Sequence, residues 1–326
     1  MSKISYHGAL APLEEACRLA GWSSISDLMS VSGSGLWRKG QIALRHLRLP
    51  SRVLQTKTPV LVRDFSNVPL RTVFSKMQSV REQVWFVINH NLQWAEGSKT
   101  EAAALKMLGK KGAQFIFFEE VPSSVLSKYE IDPSHCFSLP HPVPPKVLLR
   151  DRLGGVQTIG VVGQFRAEKG MDELLEQLKP LASTYRILIA LPNRNEFQAQ
   201  SKFAQDTWFE LRDSQDATDY QKAISDCDVV VLNHPTKGYE YRASGLIADA
   251  AAAHVPVVVR RLPLMEKQIS FPKPVGVSFT SLNELPACLE QVDQKLKTGT
   301  FLFADYAQAR SAQALAKQLE QICPIR

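Results

Sequence analysis

The chain has 326 residues, 44% of them apolar and 22% charged, which suits two globular domains with a sizeable core and no need of a disulfide or metal staple. Its formal net charge of +7 is uneven: residues 1–150 hold 19 Lys and Arg against 11 Asp and Glu, and the remainder hold 20 against 21. The five cysteines form no C-x-x-C pair, and Glu14 and Glu15 stand where a signal peptide would be apolar, so zinc, a disulfide framework and export are disfavoured and a cytoplasmic location is expected.

In chain order, helical patterns cover 9–20, 25–31 and 36–49, the last stopped by Pro50. Pro59–Arg63 reads as the first strand and Arg81–Ile88, centred on Val84-Trp-Phe-Val-Ile88, as the second. An amphipathic helix follows at 99–108, a strand at 114–118, a short helix at 122–128 and a strand at 136–139. Pro140, Pro142, Pro144 and Pro145 then make a stiff connector, which places a boundary between an N-terminal domain of residues 1–142 and a C-terminal domain of 143–326. Beyond it strands (156–162, 186–191, 207–211, 229–233, 255–260) alternate with helices (171–181, 195–204, 217–225, 244–253), the pattern of parallel βαβ units. Helices at 280–293 and 306–322 close the chain, and the last is expected to pack back on the N-terminal domain. The expected fold class is α/β, with two facing Rossmann-like, doubly wound domains and a ligand cleft at the carboxyl ends of the strands.

The chemistry concentrates at Gly160–Gly170. A buried strand runs into a glycine turn, and the turn runs into a helix, so free N–H groups and the helix dipole point at one place. Arg166 and Lys169 lie in that turn, and the ensemble suits a diphosphate. A nicotinamide enzyme is disfavoured, because the third glycine of the dinucleotide fingerprint is missing and no acid ends the next strand.

Gly163-x-x-Arg166-x-x-Lys169-Gly170 resembles the donor loop of the family-4 retaining glycosyltransferases, enzymes of the GT-B fold. A second match is Tyr239–Ala250 followed by Pro256-Val-Val-Val259, against a family pattern of Glu, seven residues, Glu, then Pro-Val. The resemblance implies that Arg166 and Lys169 hold the donor diphosphate, beside Gly163 and Gln164. It implies that Asp249, on the second Glu of the pattern, bonds the ribose, and that the N–H groups of Ser244 and Gly245 face the distal phosphate. Tyr241 stands on the first Glu, which contacts the sugar in the family. The N-terminal domain does not show the family's opening strand and glycine loop; Gly33-Ser-Gly35 could replace the loop, but no strand is read before it.

Asn89-His90-Asn91 lies off the end of a buried strand, where a site residue belongs. In the family a histidine here contacts the donor sugar, which makes His90 a catalytic candidate. Asp226-Cys-Asp228 has the look of a metal-binding Asp-x-Asp, but it precedes its strand and reads as a solvated strand start. His141 reads as a linker residue.

These residues lead to a metal-independent, cofactor-free retaining glycosyltransferase of the hexosyl type. It would move a sugar from a nucleoside-diphosphate sugar to an acceptor hydroxyl, in polysaccharide or glycolipid assembly. The alternatives are a non-catalytic partner or regulator of the same fold and a nucleotide-sugar epimerase. Between Asp27 and Asp64 there is no acid, while Arg38, Lys39, Arg45, Arg48, Arg52, Lys57 and Arg63 fall there. That segment suggests a peripheral contact with an anionic membrane carrying a lipid-linked acceptor. Helical spacing puts Arg38, Arg45 and Arg48 on one side, with Leu36, Leu44 and Leu47 toward the other and Trp37 at the interface. Nucleic acid is not expected as a partner, since no recognition motif accompanies the charge.

Overall fold

The computed structural model of the protein describes residues 10–25, 35–63, 65–145, 147–150, 154–165, 170–236 and 238–323. They form two compact units: one of residues 10–140, 241–243 and 312–323, the other of residues 141–240 and 244–311.

The N-terminal unit opens with α1 (Leu10–Leu19), β1 (Ser23–Ile25), α2 (Gly35–Leu54) and β2 (Val60–Val62). Then come α3 (Asn67–Val73), a 3-10 stretch, β3 (Val84–Ile88), α4 (Asn91–Gly97), α5 (Lys99–Lys110), β4 (Gln114–Phe118), α6 (Ser123–Lys128) and β5 (Cys136–Leu139). The five strands run parallel in chain order, β1-β2-β3-β4-β5. Side-chain alternation explains how the sheet is covered. Leu61, Trp85, Val87, Ile116, Phe118 and Leu139 share a core with Leu13, Ala16 and Cys17 of α1 and with Leu315 and Leu319 of the chain's final helix. On the opposite face Phe86 meets Phe65, Phe74 and Phe115 edge to face or tilted.

The C-terminal unit holds β6 (Thr158–Val162), α7 (Met171–Leu178), β7 (Arg186–Leu191), α8 (Arg194–Gln200), β8 (Glu210–Asp213), α9 (Ala217–Ser225) and β9 (Val229–Leu232). It continues with α10 (Gly245–Ala252), β10 (Val257–Arg260), α11 (Pro263–Ser270), β11 (Gly276–Phe279), α12 (Leu285–Lys297) and α13 (Phe303–Ala309). The final helix, α14 (Ala312–Ile322), belongs to the N-terminal unit. The six strands are parallel in the order β11-β10-β9-β6-β7-β8, so the order reverses between β6 and β9. One face packs on α9, α10 and α11, the other on α7, α8 and α12.

Several boundaries differ from those predicted. Ile25, the first residue of the helix expected over 25–31, instead ends a strand, Ser23–Ile25, that pairs with β2, so a strand does precede Gly33-Ser-Gly35; the rest of that helix lies outside the described residues, as do all of 26–34. Three residues are too short a run for periodicity to reveal, and pairing with β2 supplies what propensity does not. The helix expected to stop at Pro50 runs on to Leu54. A proline inside a helix costs roughly 3 kcal/mol. Here Leu49, Pro50 and Val53 are all buried, and their packing offsets that cost. The strand expected from Arg81 starts at Val84, after the 3-10 stretch. Helix 280–293 starts at Leu285, and an unpredicted strand, β11, and helix, α11, precede it. The helix expected over 306–322 is two helices broken around Arg310, whose carbonyl accepts from Val143 N–H at 3.2 Å.

Candidate functional site

The reversal between β6 and β9 creates the crevice in which open parallel sheets place their ligands. The turn leaving β6 begins at Gly163, whose φ of 116° is one that L side chains rarely adopt. It ends at Gly170, in the left-handed region at φ 65°, which caps α7. A Cβ on Gly170 would also stand 2.9 Å from Asn233 Nδ2. Arg166 and Lys169, the two cations expected here, lie outside the described residues. Gln164 is exposed on the turn.

The turn is fastened at both ends by residues that sequence reasoning missed. Asn193, just after β7, accepts from Phe165 N–H and donates to Phe165 C=O, each at 2.8 Å. Asn233, just after β9, donates to Gly170 C=O at 2.8 Å. Its other amide atom accepts from Arg260 Nε at 3.0 Å, which fixes the amide's orientation. Of the acids in the first turn of α7, Asp172 is turned aside and accepts from Ser201 Oγ at 2.6 Å and from Lys202 N–H.

The second half of the site is the start of α10. Ser244 is its N-cap residue in extended conformation. Its N–H does not point at open space, as the expected phosphate role requires, but donates to Gln268 Oε1 at 2.8 Å. Gln268 Nε2 returns a bond to Ser244 C=O at 2.7 Å. Gln268 is fully buried on α11, the helix that the sequence did not disclose. The N–H groups of Gly245, Leu246 and Ile247, as a first helical turn, have no acceptor within the helix.

A buried guanidinium backs this turn. Arg310 donates to the carbonyls of Phe271 at 2.9 Å, His141 at 3.2 Å and Gln268 at 3.4 Å, and lies over the Tyr306 ring. His141, read from the sequence as a linker residue, is buried here. Its ring stands 3.9 Å from where a Cβ on Gly245 would be.

Asp249 lies one turn along α10 from Gly245 and is half-buried. It accepts from Tyr220 Oη at 2.9 Å. Burial pushes its carboxyl up to about 6, against the lowering effect of the Tyr220 bond. A polar cavity of about 270 Å³ opens at the ends of β7 and β8, lined by Asn193, Arg194, Glu196, Asp213 and Gln215 among others.

His90 and Tyr241 both belong to the N-terminal unit. His90 caps α4, is half-buried and stacks on Trp94 with centroids 6.0 Å apart. Its neighbour Asn91 takes the structural role: fully engaged in the core, it donates to Phe65 C=O and to Asn67 Oδ1 and accepts from Asn89 N–H. Arg242 follows Tyr241 and donates to Gln93 of α4 at 3.2 Å, a cation on the helix that His90 caps and one that the sequence reading overlooked.

Asp228 is not the solvated strand start expected of Asp226-Cys-Asp228. Asp228 is buried, pairs with Arg150 at 2.9 Å, and accepts from the N–H groups of Gln157 and Thr158, which ties down the start of β6. Asp226 pairs with Arg212. Among the described residues no group of three His, Cys, Asp or Glu is placed to hold a metal ion.

No family model and no curated protein matches the chain. Solved structures do. HepE from Anabaena, in complex with UDP and glucose, matches at TM-score 0.68 and 12% identity, over 100% of this chain and 98% of that one. Sucrose-phosphate synthase from Thermosynechococcus elongatus matches at TM-score 0.70 and 13% identity, over 95% and 90%. TarM matches at TM-score 0.59 and 14% identity, over 87% of this chain but only 58% of TarM. At these identities the likeness establishes the fold, which is that of the GT-B glycosyltransferases.

Proposed function

We propose that the protein is a retaining glycosyltransferase that transfers a hexosyl group from a nucleoside-diphosphate sugar to an acceptor hydroxyl. The observation that carries this reading is the turn between β6 and α7, fastened by Asn193 and Asn233 beside the point where the strand order reverses. Held at Phe165 and at Gly170, the two ends of the turn are placed at a helix N-terminus, where backbone N–H groups and the helix dipole favour an anion. One neighbour of the same fold, HepE, is recorded with UDP and with UDP-glucose, and its match to this chain is nearly end to end.

In this reading the turn, with Arg166 and Lys169, receives the diphosphate, and the free N–H groups at Gly245 and Leu246 meet its far end. The main catalytic task is electrostatic, to stabilise the charge that grows on the diphosphate as the glycosidic bond breaks. Asp249 accepts from the ribose hydroxyls, with Tyr220 holding the carboxylate in place. His90 and Tyr241 contact the sugar. The cations take the part that a metal plays elsewhere, so the reaction is independent of divalent ions. The acceptor is a saccharide, free or lipid-linked, in polysaccharide or glycolipid assembly.

The reading is tested by titrating UDP calorimetrically and by measuring nucleoside diphosphate released from a panel of donors, with and without chelator. Arg166→Ala and Lys169→Ala are each expected to weaken UDP binding about ten- to a hundredfold, the worth of a charge-assisted phosphate contact. Unchanged affinity in both variants overturns the phosphate assignment. Two points favour a second reading, a non-catalytic protein of the same fold: Tyr241 stands where the resemblance puts an acid, and the Ser244 N–H is already occupied. UDP binding with no turnover of any donor supports it.

A further inference from the structure

We propose that the outward face of α2 docks the protein on an anionic lipid bilayer. The buried side of α2 is His46, Leu49, Pro50 and Val53, spaced three and four apart. His46 locks the rotation of the helix about its axis: Nδ1–H donates to Ile42 C=O at 2.8 Å, and Nε2 accepts from Ser66 N–H at 3.1 Å. The side chains opposite are therefore presented outward by design of the packing. They are not those expected from the sequence. Leu44, Leu47 and Leu54 are 61%, 56% and 50% exposed, so they share the outer surface with the arginines instead of lying under them. At 100° per residue the three leucines fill one half of that surface, and Arg48, Arg52 and Arg45 fill the other. The side chains of Leu36, Trp37, Arg38 and Lys39 lie outside the described ones.

Single exposed leucines are ordinary. Three on one helix face, about 15 Å from end to end and edged by arginines, are not. The charge identifies the occupant. α2 carries no acid from Gly35 to Leu54, whereas a solvated helix face mixes both signs; Arg63, the last cation of the basic segment, is buried, pairs with Glu14 and is no part of the face. A second copy of this chain meeting the face symmetrically would bring arginines against arginines. A nucleic acid would contact the arginines and leave the leucines in water. An anionic bilayer meets both: headgroup phosphates approach the guanidinium groups on the outward face, and the leucines enter the acyl boundary with the helix lying in the plane. Among the described residues no helix is long and apolar enough to cross a membrane, so the attachment is peripheral. The docking stands on α2 alone; only the further step, that the acceptor is presented by the same bilayer, rests on the glycosyltransferase reading.

The test is co-sedimentation of the full chain with vesicles of phosphatidylcholine alone and of phosphatidylcholine mixed with phosphatidylglycerol, at low and high salt. The expected result is salt-sensitive binding to the mixed vesicles only. Arg48→Gln and Arg52→Gln are each expected to weaken it about fivefold. Leu44→Ser with Leu47→Ser is expected to weaken it at least as much, with the salt dependence retained, because these side chains are exposed and their loss leaves the fold intact. UDP binding by the same variants separates the two proposals: it stays at the wild-type value whether or not the membrane proposal holds. Equal binding to both vesicles, no binding to either, or a leucine variant that sediments like wild type overturns the docking face. So does leucine-dependent self-association in light scattering, or tighter binding to a single-stranded oligonucleotide than to the mixed vesicles.

Discussion

Asn193→Ala isolates the contribution of the fastened turn. The amide supplies two bonds to one residue, Phe165, at 2.8 Å each, from the end of the neighbouring strand β7. Each is worth about 0.5–1.5 kcal/mol net, so their loss destabilises the protein by about 1–3 kcal/mol. The larger expected effect is on ligand binding. With the clamp on Phe165 lost, that end of the turn gains freedom that a bound diphosphate must remove again, at about 1–2 kcal/mol per backbone residue ordered. If only one or two residues are freed, UDP affinity falls about five- to a thousandfold. Asn193→Asp is not a rescue. It keeps the acceptor for Phe165 N–H, loses the donor to Phe165 C=O, and places a second carboxylate beside Glu196, which the asparagine now contacts. Calorimetric titration with UDP, together with thermal unfolding, separates the two effects. A lower melting temperature with unchanged UDP affinity would refute the reasoning and leave Asn193 as a strand-end brace.

Gln268→Met replaces the buried clamp on Ser244 by an apolar side chain of similar length and leaves two backbone groups unpaired; unfolding free energy is expected to fall by about 2–5 kcal/mol, with weaker UDP binding in the fraction that stays folded. Asp249→Asn is expected to stabilise the protein at pH 7–8 by about 1–3 kcal/mol and to weaken UDP binding, measured by denaturant titration and calorimetry. The sign follows from linkage: the native carboxyl, raised from 3.8 to about 6, holds its proton where the unfolded one has lost it, so wild-type stability declines as pH rises across that window and the asparagine removes the decline. His46 contributes with the opposite slope. Burial lowers its basicity and both ring nitrogens are bonded in the neutral form, so unfolding free energy is expected to drop as pH falls below about 6.5, and His46→Gln to lose that drop.

Much of the scaffold was legible because buried parallel strands are short apolar runs between helical periods. Gln114–Phe118, Cys136–Leu139, Arg186–Leu191 and Ala217–Ser225 fall where the pattern sets them. What escaped was decided by tertiary partners. The strand Ser23–Ile25 exists through pairing with β2, and α2 passes Pro50 because the surrounding side chains bury it. Helix α11 begins with a proline at its first turn, a usable start signal, but its eight residues carry no clear stripe.

The site divides in the same way. Groups that would touch a ligand sit in turns with a local signature: a glycine at φ 116°, another at φ 65°, and a helix start. The groups that hold those turns still have none, since each clamp joins residues distant in sequence: Asn193 to Phe165 across 28 positions, Gln268 to Ser244 across 24, and Arg310 to His141 across 169. An asparagine, a glutamine and an arginine are ordinary surface residues until the fold buries them. Burial of such groups without partners costs about 1–3 kcal/mol each, and these are paired almost entirely with backbone. Backbone partners leave no trace in side-chain identity, so one sequence cannot reveal them. They also place the described ends of the turns, Phe165, Gly170 and Ser244, through bonds that no ligand has to make, and an end already held costs a ligand less conformational entropy than a loose one.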